Sequence, residues 1–168
     1  MTATYLVTGA CGFIGSNFVH FLLRERPEAR VVALDNLSFA ANEDNLAAVR
    51  ERVPLVVADI CDHGGMVEVY RQFHPDFVVN FAAESHNDRA VVDPSSFART
   101  NALGAQTMLE VSRRHPVRRH LHVSTIEVYG ELAEEAPYFH EGSPLNAKTP
   151  YSAAKAAGDQ LVRAYMQT

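Results

Sequence analysis

The chain has 168 residues, of which 47% are hydrophobic and 21% are charged, a composition that fits one domain with a hydrophobic core. Its net charge is −5 and no block of lysine and arginine occurs, which argues against a nucleic-acid-binding or anionic-membrane-binding surface. The N-terminus lacks a signal-peptide pattern, and no apolar stretch approaches the ~20 residues of a membrane-spanning helix, so we expect a cytoplasmic protein.

The two cysteines and eight histidines do not suggest a disulfide or a metal site. Cys11 and Cys61 lack CxxC spacing and a nearby histidine of the zinc-site type, so we expect free thiols in a reducing compartment. The histidines are scattered, and the closest pair, His120 and His122, alternates along one predicted strand. We therefore predict no bound metal.

Five short apolar runs predict the strands of a parallel sheet. Each run is too short for a helix and is continuous rather than alternating, which is typical of strands buried on both faces. The runs are Tyr5–Val7, Val31–Leu34, Leu55–Ala58, Phe77–Phe81 and His120–Val123.

Helical patterns lie between these runs, and the alternation predicts a doubly wound α/β fold with three layers, αβα. The predicted helices are Phe13–Arg24, Asn45–Glu51, Met66–Phe73, Ser95–Arg114 after the cap Asp93-Pro94, and a last one from Thr149-Pro150 to the final residue. The irregular stretch 131–148 is predicted to be a functional loop. Because the last helix stops without a cap or a following strand, we expect a piece of a longer polypeptide.

The stretch "YLVTGACGFIGSN" predicts a dinucleotide-binding turn of the Rossmann type. Gly9 allows the tight turn, Gly12 lets backbone amides approach a pyrophosphate, and Gly15 allows close packing of the helix. Asp35 ends the second strand 20 residues beyond Gly15, where a carboxylate binds ribose hydroxyls and repels a 2′-phosphate. NAD is therefore favoured over NADP. The alternative is a glycine turn of a flavodoxin-like domain with Asp35 as a cap.

The predicted cofactor site includes further residues at the ends of strands. Asp59 and Ile60 follow the third strand, where a carboxylate would lie near the adenine amine, although Asp59 could equally be a helix N-cap. The residues assigned to the dinucleotide from the first three strands are Gly9, Gly12, Phe13, Ile14, Gly15, Asp35, Asn36, Asp59 and Ile60.

The stretch "TPYSAAK" places Tyr151 and Lys155 four residues apart at the start of a helix, and hence on one face. An ammonium near a phenol, together with the helix dipole, favours the phenolate, so we expect Tyr151 to act as a base near neutral pH. This spacing is common on exposed helices. It gains weight from the dinucleotide motif and from Ser124-Thr125 at the carboxyl end of a strand, where ligands bind in open α/β sheets.

These motifs, with "NFAAESHNDRA", "TNALGAQTMLE", "STIEVYG" and "PYSAAKAAGDQLVRAY", resemble the extended short-chain dehydrogenase/reductase superfamily, and within it the dTDP-glucose 4,6-dehydratases. The resemblance covers nearly the whole chain, and "AAESHxDR" is its most discriminating segment. It implies one NAD-binding domain, residues 1–168, that precedes a sugar-nucleotide-binding domain absent from this chain. For these 168 residues alone it implies weak NAD binding and negligible turnover.

The resemblance also implies roles for single residues. Tyr151 would be the base at C4 of the sugar, Lys155 its electrostatic support and a ribose contact, and Thr125 a partner of the substrate O4. Glu127 would remove the C5 proton, and Ser85 would contact the substrate. In "ESHNDR", His86 and Arg89 could touch the diphosphate of the substrate, although His86 could simply hydrogen-bond to backbone. Further positions along the cofactor and substrate are Phe81, Ala82, Ala83, Ser85, Thr100 and Ser124.

One residue departs from the family pattern. Where the dehydratases read Thr-Asp-Glu, this chain reads Thr125-Ile126-Glu127, and isoleucine cannot protonate the departing C6 hydroxyl. We expect Glu127 to pass the C5 proton on to that hydroxyl, directly or through a water molecule, or a different sugar nucleotide to be the substrate. The alternative is that Glu127 is a solvated loop residue and Ile126 a packing residue.

Three functions remain open at this stage. They are a nucleotide-sugar 4,6-dehydratase that acts on a dTDP-glucose-type substrate, a related decarboxylase or C4 epimerase, and a non-catalytic NAD-binding homologue or fragment. The faces formed by Phe97, Met108 and Val111 and by Leu161 and Tyr165 are expected to pack rather than to touch the cofactor. The resemblance implies a homodimer through helices 95–115 and 151–168.

Overall fold

The structure, a computed structural model, describes residues 2–132 and 138–167. The described chain divides into two compact units. The first runs up to Ala82 and again over Thr107–Val123, and the second comprises Ala83–Gln106 and the residues from Ser124 onward.

The first unit holds a five-stranded parallel sheet, which confirms all five predicted strands. Its strands are β1 (Thr4–Thr8), β2 (Arg30–Asp35), β3 (Leu55–Val57), β4 (Phe77–Asn80) and β5 (Arg119–His122), in the order β3-β2-β1-β4-β5. The chain adds β2 and β3 on one side of β1 and then crosses to add β4 and β5 on the other side. In folds of this type, a crevice opens at the carboxyl ends of the strands where this change of direction occurs, here between β1 and β4.

The sheet is covered on both faces, which explains why β1, β2 and β4 are largely apolar without alternation, whereas the edge strand β5 carries Arg119, His120 and His122. Leu6 belongs to one buried cluster, with Met66, Tyr70 and Met108, while the next residue, Val7, belongs to another. Helices α1 (Phe13–Glu25), α2 (His63–Phe73) and α5 (Ala105–Arg114) and a 3₁₀ segment (Glu43–Val49) provide the packing residues. The predicted Rossmann-type αβα architecture is confirmed.

The predicted continuous helix Ser95–Arg114 is wrong in detail. It consists of α4 (Pro94–Ala98), a π-helical segment (Arg99–Gly104) and α5. Within the π-helical segment, the buried Asn101 side chain accepts a hydrogen bond from the Glu84 backbone N–H at 2.9 Å and donates to the Glu84 carbonyl at 2.8 Å. One widened turn barely disturbs the spacing of apolar residues, so the periodicity could not reveal it.

The second unit is built around α6 (Pro150–Tyr165). Thr149 and Ser152 form a capping box at its start, and Pro150 occupies a position that needs no N–H donor. Tyr151 packs edge-on against Phe97, with ring centroids 6.2 Å apart. Two short elements of this unit were not predicted, α3 (Asn87–Val92) and a 3₁₀ segment (Ile126–Tyr129), because a few residues carry no readable periodicity.

Two predicted segments extend beyond what the structure describes. The loop 131–148 is predicted across residues 133–137, and the last helix is predicted to reach residue 168, and these positions lie outside the described residues. The described part of the last helix ends at Tyr165. In the described ranges, no helix has the length and hydropathy needed to cross a bilayer, and no cluster of three or more histidine, cysteine or acidic side chains is arranged to hold a metal ion.

The apolar faces expected for a dimer are mostly covered within the chain. Met108 and Val111 are buried in a core cluster of the first unit, and Phe97 is buried in the second unit with Ala90 and Tyr151. These three side chains pack, as predicted, and they supply no free apolar surface.

Gly15 tests how tightly the first helix sits on its turn. A Cβ at Gly15 would lie 2.1 Å from the Gly9 carbonyl oxygen, a backbone atom that cannot move aside. We expect Gly15→Ala to lower the free energy of unfolding by about 2 kcal/mol or more, measured by urea titration. Gly64→Ala is the matched control, because its Cβ would meet its nearest atom at 3.6 Å. That variant should leave stability unchanged or raise it by up to about 1 kcal/mol, and equal losses in both variants would contradict the steric argument.

His120 links stability to pH. The chain Tyr70–Ser112–His120 is joined by two hydrogen bonds of 2.8 Å, and burial lowers the pKa of His120 to about 4. In the unfolded chain His120 is protonated below about pH 6.5, whereas in the folded chain it stays neutral down to about pH 4. The free energy of unfolding therefore falls as the pH drops from about 6.5 to about 4. We expect this group to contribute at most about 3 kcal/mol to that fall.

The measurement is the free energy of unfolding of the chain and of His120→Gln at several pH values between about 4 and about 7. The variant should lose less stability across this window than the parent chain does. The exposed His63→Gln is the control. Parallel pH curves for the parent and His120→Gln would contradict the assignment to His120.

Candidate functional site

The glycine turn has the backbone geometry that the motif predicts. Gly9 has a φ of +65°, and a Cβ there would lie 2.7 Å from the backbone nitrogen of Ala82. Both the backbone conformation and the lack of space therefore exclude a side chain at this position. Gly12 is the N-cap of α1 and offers no side-chain cap to the first helical amides. Phe13 and Ile14 are 82% and 61% exposed at this helix start. An exposed helix N-terminus without a side-chain cap can hold an anionic group.

Asp35 lies buried at the end of β2 beside this turn. Its Oδ2 accepts a hydrogen bond from the Cys11 N–H and its Oδ1 accepts one from the Leu37 N–H, both at 2.9 Å. The carboxylate thus caps two loop amides, and each oxygen keeps a second lone pair for a ligand hydroxyl. The neighbouring Asn36 is exposed, and its Oδ1 accepts from the Ser38 N–H at 3.1 Å.

Both cysteines are free thiols, as predicted. Cys11 is fully buried directly after the glycine turn. Burial raises the pKa of its thiol to about 11, and the negative charges of Asp35 and Glu43 act in the same direction.

The residues after β3 and β4 that were assigned to the cofactor make contacts within the protein. Asp59 accepts from the Cys61 N–H at 2.8 Å, and the N-cap of α2 is Asp62, so the interpretation of Asp59 as that cap is wrong. Ile60 is 3% exposed and belongs to the core. Phe81 packs against Phe18 with ring centroids 5.2 Å apart. The Ala82 N–H donates to the Thr8 hydroxyl at 3.3 Å.

Thr125, Glu127, Tyr151 and Lys155 all belong to the second unit. Tyr151 and Lys155 lie one turn apart on α6 and are 8% and 3% exposed. The Thr125 side chain hydrogen-bonds to the Tyr151 phenol, and Glu127 acts on it electrostatically. The structure therefore brings three of the predicted catalytic groups together and buries the fourth on the same helix.

The pKa of Tyr151 does not follow the sequence argument, which expects it to be lowered. Burial raises it above its ordinary value, the Thr125 hydrogen bond lowers it in part, and the charge of Glu127 raises it further. Burial also lowers the pKa of Lys155 to about 8, against the opposing charge of Asp159. The expectation was wrong because helix spacing shows which groups are close but not how far they are removed from water.

Glu127 is held in place, and Ile126 is not packed. The Glu127 N–H donates to the Thr125 hydroxyl at 3.3 Å, which caps the 3₁₀ segment. Ile126 is 66% exposed, so its interpretation as a packing residue is wrong. Between Thr125 and Glu127 the chain thus presents an exposed aliphatic side chain where an acid was expected.

The segment 83–86 and Thr100 also lie in the second unit. Ser85 and His86 are exposed, with the Ser85 hydroxyl 3.3 Å from Nδ1 of His86. Ala83 and Thr100 are half-buried, and Thr100 lies in the π-helical segment. Arg89 pairs with Glu84 at 3.6 Å, and the Asn101 amide holds the backbone of Glu84, so this segment is fixed from within its own unit.

Two contacts of this unit were missed at the sequence level. The Ser124 hydroxyl donates to Oδ2 of Asp159 at 2.7 Å. Nδ2 of Asn87 donates to both carboxylate oxygens of Glu127, at 3.1 and 3.3 Å. Asp159 continues the face of Tyr151 and Lys155 with the spacing i, i+4, i+8, a signal that could have identified it. Asn87 stands within a motif quoted for the family resemblance, but nothing in its spacing points to Glu127.

A cavity of about 410 Å³ adjoins Ser124 and Thr125 in the second unit. Its wall includes Phe139, His140 and Glu141 from the stretch predicted to be a functional loop. The remaining lining residues are Ile126, Val128, Tyr129 and Asp159. The cavity is therefore lined in part by residues already assigned to the site.

Comparison with known proteins shows similarity over nearly the whole chain. The dTDP-glucose 4,6-dehydratase of Mycolicibacterium smegmatis is 47% identical over 164 residues, 97% of this chain and 49% of the relative. The dTDP-glucose 4,6-dehydratase 1 of Escherichia coli is 40% identical over 183 residues, 97% of this chain and 50% of the relative. The chain thus spans about half the length of the relatives it matches.

Solved structures give the same result. The DesIV dTDP-glucose 4,6-dehydratase of Streptomyces venezuelae, crystallised with NAD bound, superposes with a TM-score of 0.92 at 43% identity, covering 98% of this chain and 52% of that one. The UDP-glucose 4-epimerase of Thermus thermophilus, in complex with NAD, gives a TM-score of 0.89 at 34% identity, covering 98% of this chain and 51% of that one.

These likenesses confirm the predicted resemblance to the extended short-chain dehydrogenases/reductases. The profile of the family described as GDP-mannose 4,6 dehydratase matches residues 6–168. The chain therefore belongs to the GDP-mannose 4,6-dehydratase family.

Proposed function

We propose that the protein containing this chain is an NAD-dependent nucleotide-sugar 4,6-dehydratase, a lyase that acts on a dTDP-glucose-type substrate. The observation that carries the proposal is the Tyr151 phenol, which hydrogen-bonds to the Thr125 side chain and is close enough to Glu127, in the same compact unit, for the Glu127 charge to raise its pKa. These residues provide a hydroxyl that can bind the sugar, a carboxylate and a phenol. The dehydratase names of the relatives support the choice of reaction and of nucleotide.

NAD is the proposed cofactor, and the residues of the first unit fit it. A Cβ would fill the space at Gly9 and Gly15, the start of α1 has no side-chain cap, and each Asp35 oxygen keeps a lone pair for a ligand. The proposed contacts are the helix amides for the pyrophosphate and Asp35 for the ribose. When bound, NAD supplies the hydride acceptor for oxidation at C4 and the hydride returned to C6.

Tyr151 is proposed to accept the proton of the C4 hydroxyl. Its burial favours the neutral phenol, so neighbouring groups must stabilise the phenolate while the proton of the C4 hydroxyl is transferred. The Thr125 hydrogen bond gives part of this stabilisation. Lys155, with a pKa of about 8, is still mostly protonated at neutral pH and can give the rest as a positive charge on the same helix.

Glu127 is proposed to carry the proton of the elimination step. Once C4 is a ketone, the C5–H bond becomes acidic, and the Glu127 carboxylate can accept that proton. The C6–O bond then breaks, and the same proton leaves with the hydroxyl as water. Ile126 has no proton to donate, so Glu127 acts first as base and then as acid.

We further propose a cytoplasmic homodimer formed through residues 95–115 and 151–168. The exposed apolar side chains that support this assignment are Leu103, 50% exposed, and Met166, 81% exposed. The proposed binding partner is a nucleotide-diphosphate sugar, and we propose no binding to nucleic acid or to a membrane.

The proposal is tested by incubating the full-length gene product with NAD and dTDP-glucose. We expect a 4-keto-6-deoxy sugar nucleotide, detected by its absorbance in alkali and by mass spectrometry as the loss of one water. Glu127→Gln should lower kcat by about 10²–10³-fold, because a neutral amide cannot accept the C5 proton. The control is Glu131→Gln, an exposed residue nearby that should retain full activity.

Other products would point to the competing functions. A C4-epimerised sugar would indicate an epimerase, and release of CO₂ from UDP-glucuronate would indicate a decarboxylase. Binding of NAD without turnover of dTDP-, UDP- or GDP-sugars would show a non-catalytic homologue. Each of these results would replace the proposed reaction.

Ile126 provides a second test of the single-carboxylate interpretation. Because its side chain is exposed beside Glu127, an acid can be introduced without a buried charge. We expect Ile126→Asp to raise kcat by up to about tenfold when protonation of the C6 hydroxyl limits the rate, since a positioned general acid contributes at least this much. Ile126→Asn has the same shape and no acidic proton, so it should not show the gain. Equal rates in the two variants would contradict the role assigned to position 126.

A further inference from the structure

Asn87 connects three separate segments of the second unit. Its Nδ2 lies 3.1 Å from Oε2 and 3.3 Å from Oε1 of Glu127, which is 40 positions away in the sequence. Its Oδ1 accepts a hydrogen bond of 3.2 Å from the hydroxyl of Thr149, 62 positions away. The chain Thr149–Asn87–Glu127 therefore joins the first residue of α3 to the 3₁₀ segment that carries Glu127 and to the cap of α6.

Other exposed asparagines use fewer long-range partners, and Asn45 makes one such contact, from its Nδ2 to the Cys11 carbonyl at 3.0 Å. The Asn17 side chain donates to the Phe13 carbonyl four residues earlier, and the Asn42 side chain accepts from the Asp44 N–H two residues later. Those are local helix and cap contacts. Asn87 instead uses both ends of its amide for long-range partners, one of which is the proposed proton carrier.

The carboxylate fixes which end of the Asn87 amide faces it. An ionised carboxylate only accepts hydrogen bonds, so Nδ2 is directed at Glu127 and Oδ1 is left to accept from the Thr149 hydroxyl. An amide donor keeps this role whatever the protonation state of its partner, because it does not titrate. A carboxylate accepts its N–H through either oxygen, and a carboxylic acid still accepts it through the carbonyl oxygen.

We infer that Asn87 is a positioning residue for the elimination step. It holds the Glu127 carboxylate in one orientation while that group takes the C5 proton and passes it to the departing hydroxyl. This inference rests on the proposed function, and it extends it. With an isoleucine at position 126, Glu127 must both accept the C5 proton and donate it to the C6 hydroxyl. The orientation of this one carboxylate therefore affects both proton transfers, whereas two separate acidic residues would each affect only one.

The test uses the full-length gene product with NAD and dTDP-glucose. Asn87→Leu removes the donor at similar volume, and Asn87→Asp keeps the shape while placing a negative charge against Glu127. We expect kcat to fall about tenfold in Asn87→Leu, with KM within about twofold, and to fall further in Asn87→Asp. Val92→Ala is the matched control, because Val92 lies at the other end of α3 and is 87% exposed.

Two readouts separate positioning from a general loss of structure. With substrate deuterated at C5, the kinetic isotope effect on kcat should rise in Asn87→Leu, while the effect of deuterium at C4 should not. In a double-mutant cycle, Asn87→Leu should add no further loss to Glu127→Gln, because both changes remove the same function. The residual activity of the Glu127→Gln variants is measured by chromatography of the product that accumulates over hours. Melting curves of all variants should agree within a few degrees.

The outcomes are distinct. An inactive parent protein overturns the proposed function, and this inference with it. An active parent with Asn87→Leu and Asn87→Asp at parental rates overturns the inference alone. The inference is also overturned if the loss of kcat in Asn87→Leu multiplies with the loss in Glu127→Gln, since this result would show that Asn87 acts independently of the carboxylate. Asn87→Asp keeps the test decisive if Asn87→Leu misfolds, because aspartate is favourable in the first turn of a helix.

Discussion

The first unit depends on a sheet whose strands all run in one direction. Parallel strands need crossover connections, and the crossovers place helices over both faces, so the inner strands must be apolar on both sides. The same constraint brings the carboxyl ends of the strands to one edge. Gly9, Asp35 and Ala82 all follow or end strands at this edge, and the exclusion of a side chain at Gly9 comes from the backbone that follows β4. Fold and candidate cofactor site therefore share a single cause.

That shared cause is also why so much of the first unit could be predicted from the sequence. The strands were found because burial on both faces leaves an uninterrupted apolar run, and the turn was found because glycine marks positions that reject a Cβ. The prediction failed where a local pattern has two interpretations. Asp59 and Asp62 both follow β3, and only the structure shows that Asp62 caps α2. The π-helical segment at Arg99–Gly104 depends on a tertiary contact between Asn101 and Glu84, which spacing cannot encode.

The second unit shows a sharper limit. The pair Tyr151 and Lys155 was visible as a spacing, but the direction of the shift in the phenol's pKa was not, because desolvation outweighs the Thr125 hydrogen bond. Asn87 was invisible for a different reason, since its two partners lie 40 and 62 residues away. Sequence thus identified the reactive groups, while the environment that sets their orientation and proton affinity appeared only in three dimensions.

The buried thiol after the glycine turn has a consequence for the whole nucleotide-binding edge. A cysteine with a pKa of about 11 carries almost no thiolate at neutral pH, and thiolate is the form that peroxides and alkylating reagents attack. Cys11 also donates its backbone N–H to Asp35, so covalent damage at this sulfur would disturb the acidic residue as well. Burial therefore keeps the sulfur beside this turn in its protonated form, which is the less reactive one.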